Sequence, residues 1–210
     1  MKQLLRLTAC CVTLVTLFAG NLARAEYRDM PMSTGMVGWT TNYTFRGETY
    51  SSGMPVVQAG LQFSGPYYFG VLGSQIHDGT SSGTGTEFYV GIKDVIGGRV
   101  GIDIGGITHQ YAGTSYPAFS EYYAGLIIGP ARIAYYNEVT NASNYIDFSF
   151  KVGNRNGSLL LVHWGKNTTG NDMKLSLSQR LAGIRFSAIG VYEDRGTAST
   201  SIMFAIEKFF

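Results

Sequence analysis

Apolar and polar residues alternate one for one along most of the chain. In 56–63, Val57, Ala59, Leu61 and Phe63 interleave with Gln58, Gly60 and Gln62. In 145–152, Ile146, Phe148, Phe150 and Val152 interleave with Tyr145, Asp147, Ser149 and Lys151. The same rhythm runs through 37–46 (Val37, Trp39, Tyr43, Phe45), 87–93, 99–105, 173–180, 184–193 and the chain end from Ile202 to Phe210. A period of two belongs to a strand with one apolar and one polar face. Weaker strands fit 67–76, 120–129, 131–139 and 158–165. The count is about twelve, with 10–14 strands compatible with a transmembrane barrel of this length.

The connections decide between a soluble sandwich and a closed barrel. Counted from the first strand, the odd connections are long and polar: 47–54, 77–86, 109–119, 139–144, 166–171 and 194–200. The even ones are tight: Gly65-Pro66, Gly97-Gly98, Gly129-Pro130, Asn154 to Gly157 and Ala182-Gly183. Short turns on one side and longer loops on the other mark an all-β, antiparallel transmembrane barrel with periplasmic turns and extracellular loops. In hydrocarbon every backbone N–H and C=O must be paired, so a sheet survives there only when it closes on itself.

The chain start changes the charge and the cysteine count. Lys2 and Arg6 precede an apolar stretch from Leu7 to Gly20, and Ala23-Arg24-Ala25 has the small-x-small form of a signal-peptidase site. Residues 1–25 are expected to be a cleaved signal peptide and 26–210 a single barrel domain of the bacterial outer membrane. The whole chain has 16 Lys+Arg against 14 Asp+Glu. Lys2, Arg6 and Arg24 leave with the signal, so the mature balance is 13 minus 14, or −1. Basicity therefore gives no argument for nucleic acid. Cys10 and Cys11 leave as well, so no disulfide framework is expected. Charged residues make up only 14% of the chain, below the roughly 25% usual for soluble domains.

The terminal strand, Ile202 to Phe210, is expected to close the sheet against the first. Its final Phe210, with apolar residues on the same parity, has the form that the barrel-assembly machinery recognises. The stretches Thr41-Asn42-Tyr43-Thr44-Phe45-Arg46-Gly47, Pro55 to Leu61, Tyr68 to Ser74, Met173 to Ser178 and the terminal strand resemble the TorF family of proteobacterial outer-membrane proteins, a family assigned as porin-like. The resemblance implies location and barrel architecture, and channel activity more weakly. It carries over no catalytic or binding residue.

Inward parity and strand direction give each lumen charge an approximate height. Lys93, Arg99, Arg132, Lys151, Arg180 and Arg185 fall near the periplasmic end with Glu207, while Glu87, Glu121, Glu138, Asp147 and Glu193 fall toward the outside with Arg46 and Lys174. Rings of charged side chains set pore selectivity. These residues are therefore candidates to line a channel for passive diffusion of small solutes, anionic ones included. The rival reading of the same charges is that they pair across strands and fill the interior, as Lys174 with Glu193 and Arg185 with Glu207 could. Two other functions remain open: a structural or adhesive barrel without an open pore, and an outer-membrane lipid-modifying enzyme. The enzyme reading needs a nucleophile beside an oriented base. His77 and His109 open loops in this reading, and His163 lies in a strand beside Trp164, so the first two read as polar loop histidines. The tyrosines and Trp39 read as interfacial girdle residues. No catalytic residue, metal cluster or cofactor signature is assigned. The expected partners are outer-membrane lipids, the assembly machinery and small solutes.

Overall fold

A computed structural model describes residues 33–97, 100–140, 143–154 and 157–210. The expected signal segment and Arg99 lie outside them. The described chain contains β1 (Ser33–Thr40), β2 (Thr44–Phe45), β3 (Glu48–Thr49), β4 (Val56–Phe63), β5 (Tyr67–His77), β6 (Ser82–Ile96) and β7 (Val100–Ala112). It continues with β8 (Phe119–Ile128), β9 (Ala131–Glu138), β10 (Asn144–Gly153), β11 (Ser158–Asn167), β12 (Asn171–Leu181), β13 (Ile184–Asp194) and β14 (Ala198–Phe209). Twelve of these form one closed antiparallel barrel, β1 pairing with both β14 and β4, while β2 and β3 make a separate two-stranded hairpin.

Closure leaves no edge strand in the barrel among the described residues. Trp39 pairs with Ile206 on one side and Val57 on the other, which keeps the apolar parity continuous across the seam. Beyond β14, Phe210 and Gly35 exchange backbone hydrogen bonds of 2.7 and 3.0 Å.

The outer face carries the apolar set of each strand, including exposed Leu61, Val90, Leu126, Leu177, Ile202 and Phe204. The opposite face is polar and much less exposed: Asp103, Glu121, Asp147 and Asp172 are all buried. Such a barrel is inside out relative to a soluble protein. Its apolar surface needs hydrocarbon, and its charges need one another.

Among the described residues, Gly65-Pro66, Gly129-Pro130 and Ala182-Gly183 fall in tight turns between paired strands. Leu181 pairs with Ile184 around Ala182 (φ 49°) and Gly183 (φ 80°), both left-handed as a type I′ hairpin requires.

The long loops are shorter than the sequence pattern implies. The structure leaves 78–81, 113–118, 168–170 and 195–197 outside the strands, because β6, β7, β11, β12 and β14 run on past their apolar stretches. Ser82, Thr84 and Thr86 put polar residues on the outward face, and Ser199, Thr200 and Ser201 are polar on both faces, so the hydrophobic rhythm fades while the backbone ladder continues. One connection is long, 41–55 between β1 and β4, and it holds the β2–β3 hairpin.

Candidate functional site

The alternation of β1 continues in the sequence through Tyr43 and Phe45, but the strand stops at Thr40. The chain then turns inward. Thr40 Oγ1 donates to the Asn42 carbonyl at 2.8 Å, and Ser51 Oγ accepts from the Tyr43 amide at 2.9 Å while donating to Asn42 Oδ1. Tyr43 and Phe45 therefore serve the lumen and not the lipid face.

From its roots between β1 and β4, the hairpin reaches walls on the far side of the barrel. Tyr43 donates its hydroxyl to Glu87 of β6 at 2.9 Å. Arg46 Nη2 lies 2.6 Å from Glu121 Oε2 of β8. The same guanidinium sits over the rings of Tyr136 (5.0 Å) and Tyr145 (4.3 Å), on β9 and β10. Lys174 of β12 donates to the Thr44 carbonyl at 3.0 Å. Arg195, following β13, donates to the Arg46 carbonyl at 2.7 Å and also pairs with Glu48. Together these contacts carry the hairpin across the bore at its loop end.

The tip is a two-residue turn, Arg46 (φ 49°) and Gly47 (φ 85°). Positive φ at a non-glycine residue costs about 1–2 kcal/mol, so this turn persists because its contacts hold it. Behind it, Phe45 packs against His109 (5.2 Å between ring centres), which stacks on Phe119 at 4.2 Å. His109 is thus a buried lumen residue of β7 and not a loop histidine. Its ring nitrogens lie 3.8 Å from Glu87 and 3.5 Å from Glu121, the two carboxylates that hold the hairpin.

Outside the barrel, a second tier of contacts steadies the loop. Tyr50 stacks on Tyr116 at 4.4 Å, and the Tyr116 hydroxyl donates to the Thr49 carbonyl. Tyr116 is itself placed by Asp78, which accepts from the amides of Thr80, Ser81 and Ser115 and from the hydroxyls of Thr80 and Ser115. Those donors, the Ser115 amide first, hold the Asp78 carboxyl well below the usual carboxylate range. Desolvation and neighbouring Glu48 push the Tyr50 hydroxyl up to about 12.

Toward the turn end, a polar belt lines one wall. Asp103 accepts from Tyr68 at 2.6 Å and from Arg132 at 3.4 Å, with Lys93 3.9 Å away. Arg132 also reaches Asp147 at 3.2 Å and Tyr136 at 3.2 Å. The tyrosines here lie flat on glycines of the neighbouring strand. A Cβ built on Gly91 would collide with the Tyr68 hydroxyl, one on Gly105 with Tyr123, and one on Gly165 with Tyr145. In the girdle reading these rings faced lipid. The structure turns Tyr68, Tyr89, Tyr111, Tyr123, Tyr136 and Tyr145 inward by strand register, while Tyr67 and Tyr122 do face out.

Register places the other expected lumen residues as follows. Lys93, Arg132, Lys151, Arg180 and Arg185 occupy inward positions toward the turn end. Arg180 and Arg185 stand directly opposite each other on β12 and β13, 5.6 and 4.6 Å from the Phe209 ring. Glu87, Glu121, Glu138 and Glu193 sit toward the loop end, Glu121 opposite Glu138. Asp147 lies lower than its expected place, because register sets it opposite Ala134 and it pairs with Arg132. Of the two expected ion pairs, Arg185–Glu207 is present at 3.8 Å. Lys174–Glu193 is replaced: Lys174 serves the hairpin backbone, and Glu193 takes Arg195 at 3.0 Å.

The sequence reading missed Asp103, His109, His163 and Asp172 as lumen groups. Asp172 lies 3.3 Å from His163, and Tyr145 bonds to both. Only the inward parity of these residues could have found them. His77 is hydrogen-bonded to Ser82 at 2.7 Å, but among the described residues no carboxylate orients its other ring nitrogen.

A family model for a bacterial protein of unknown function (Gcw_chp) matches residues 28–174. The chain belongs to the Gcw_chp family. The match runs from before β1 into β12, so it takes in the hairpin and most of the lumen wall described above. No curated protein matches the chain. Among solved structures, a KdgM porin is similar over 85% of this chain and 99% of its own, with a TM-score of 0.59 and 9% sequence identity. At that identity the likeness between this Gcw_chp protein and the KdgM porin concerns the fold alone.

Proposed function

We propose that this protein is a porin-like channel of the bacterial outer membrane, narrowed at its outer mouth by the β2–β3 hairpin, for passive diffusion of small solutes. The observation that carries this reading is the closed barrel with an apolar outer face and a charged inner one. Charge inside a membrane barrel is costly unless it faces water or a partner. Likeness to a KdgM porin and resemblance to the TorF family point the same way. In this reading the tight turns face the periplasm, and the strand ending at Phe210 is the one the assembly machinery engages.

The lumen charges support a preference for anions. Among the described residues, the turn half holds Lys93, Arg132, Lys151, Arg180 and Arg185 against Asp103, Asp147 and Glu207. Arg180 and Arg185 face each other as like charges, an arrangement that costs stability unless an anion or water lies between them. Glu207 approaches only one of the two.

A second reading, a barrel without an open pore, is favoured by one observation: the hairpin crosses the mouth and is bonded on several sides. Liposome swelling separates the two. Refolded protein should admit small sugars and small organic acids, the acids faster, with a sharp upper size limit. Impermeability to every solute, in vesicles where a known porin is active, would leave the structural reading in place.

A further inference from the structure

We propose that the β2–β3 hairpin is a gate, and that the arrangement described here is its closed state; this rests on the channel reading above. The seat of the hairpin is polar, spread out and incompletely satisfied. Its grip consists of separate hydrogen bonds from Tyr43, Thr44, Arg46 and Glu48 to four different parts of the wall. Only Phe45, against His109 and Phe119, supplies an apolar contact at the tip.

Seating the hairpin buries polar atoms that are poorly satisfied. Thr44 Oγ1 on the hairpin is buried without a hydrogen bond, and the His109 ring nitrogens and Asp172 Oδ2 have ionisable neighbours only at 3.3–3.8 Å, outside good hydrogen-bond geometry. Such groups raise the free energy of the state that buries them. Lifting the hairpin returns them to water, so the closed state gives up favourable hydration to keep its bonds. The tip adds strain of its own through left-handed Arg46.

The return limb has a hinge. Ser52 (φ 50°) and Gly53 (φ 76°) make a second left-handed turn just before β4. A Cβ on Gly53 would meet nothing within 4 Å, so the turn has room on that side, and one side-chain bond, from Ser52 Oγ to the His77 carbonyl at 3.1 Å, ties it to the neighbouring loop. The hairpin therefore has a tight tip, a weakly satisfied seat and a lightly tethered hinge, which are the parts a bistable loop needs.

Disulfide trapping in single-channel recordings tests the proposal. In a background with Cys10→Ser and Cys11→Ser, one variant carries Gly47→Cys with Asp172→Cys, whose Cβ positions lie about 3.0 Å apart. A second carries Glu48→Cys with Arg195→Cys, and a third carries Glu121→Gln. Oxidation should hold either cysteine pair at the low-conductance level, with reductant restoring fluctuations. Glu121→Gln should spend several-fold more time at the high level than the parent. Complete cross-linking, read by mass, that leaves current and fluctuations unchanged would overturn the gate while leaving the channel standing. So would failure of both pairs to oxidise in a correctly folded barrel. Silence of the parent, the reduced variants and Glu121→Gln at every voltage would instead count against the channel reading itself.

Discussion

Arg46, at the tip of a loop hairpin, lies 2.6 Å from Glu121 on the opposite wall of the barrel, and Glu121 is almost wholly buried. Removing one partner of a buried ion pair leaves an uncompensated charge, at a cost of roughly 3–5 kcal/mol. That cost falls on the hairpin and not on the sheet, whose ladder is independent of it. Glu121→Ala should therefore leave barrel formation intact and speed hydrogen exchange at the Tyr43, Phe45 and Tyr50 amides. Equal protection of those amides in the variant and the parent would mean that the pair does not hold the loop.

The tyrosine–glycine contacts give a second test. Gly165→Ala places a methyl group where the Tyr145 ring lies, displacing the bonds from Tyr145 to Asp172 and His163. Overpacking of this kind costs about 1–3 kcal/mol. The cost should vanish in a Tyr145→Ala background, so a double-mutant cycle should show coupling of that size. Gly190→Ala is the control: the nearest atom to its Cβ would be 4.0 Å away, and the change should be within about 0.5 kcal/mol of neutral. Urea unfolding in lipid vesicles measures all of these.

Asp78 sets a pH dependence on the outer loops. Its carboxyl is held below the usual range chiefly by the Ser115 amide, and then by the amides of Ser81 and Thr80. A group with a depressed folded pKa contributes stability above its unfolded pKa of about 3.9 and loses it as pH falls through the folded value. The loop contact should thus be fully present at neutral pH and persist below the ordinary carboxylate range. Protection of the Ser115 amide should remain at pH 4 in the parent and be lost at neutral pH in Asp78→Ala. An Asp78 titration near 4, followed by carboxyl NMR shifts, would contradict this.

Much of the barrel was legible in the sequence, because alternation and turn chemistry are local. The stretch 56–63 coincides with β4, and Gly129-Pro130 and Ala182-Gly183 are the turns the dipeptides mark. The hairpin was not legible, since Tyr43 and Phe45 keep the parity of β1 after the strand has ended at Thr40. His109 escaped for the opposite reason. It follows Thr108 and precedes Gln110, and the apolar rhythm of Val100, Ile102 and Ile104 stops there while β7 continues to Ala112. Arg46 and Glu121 are separated by 75 positions, and only the closed register brings them together. Lumen partners depend on strands that meet across the bore, which periodicity along one strand does not encode.

The most direct measurement of the central claim is the reversal potential of the refolded protein in a salt gradient. Stepwise current with anion preference is expected, reduced when Arg180 and Arg185 are both changed to Gln. Current that prefers cations and is indifferent to Arg180→Gln with Arg185→Gln would contradict it.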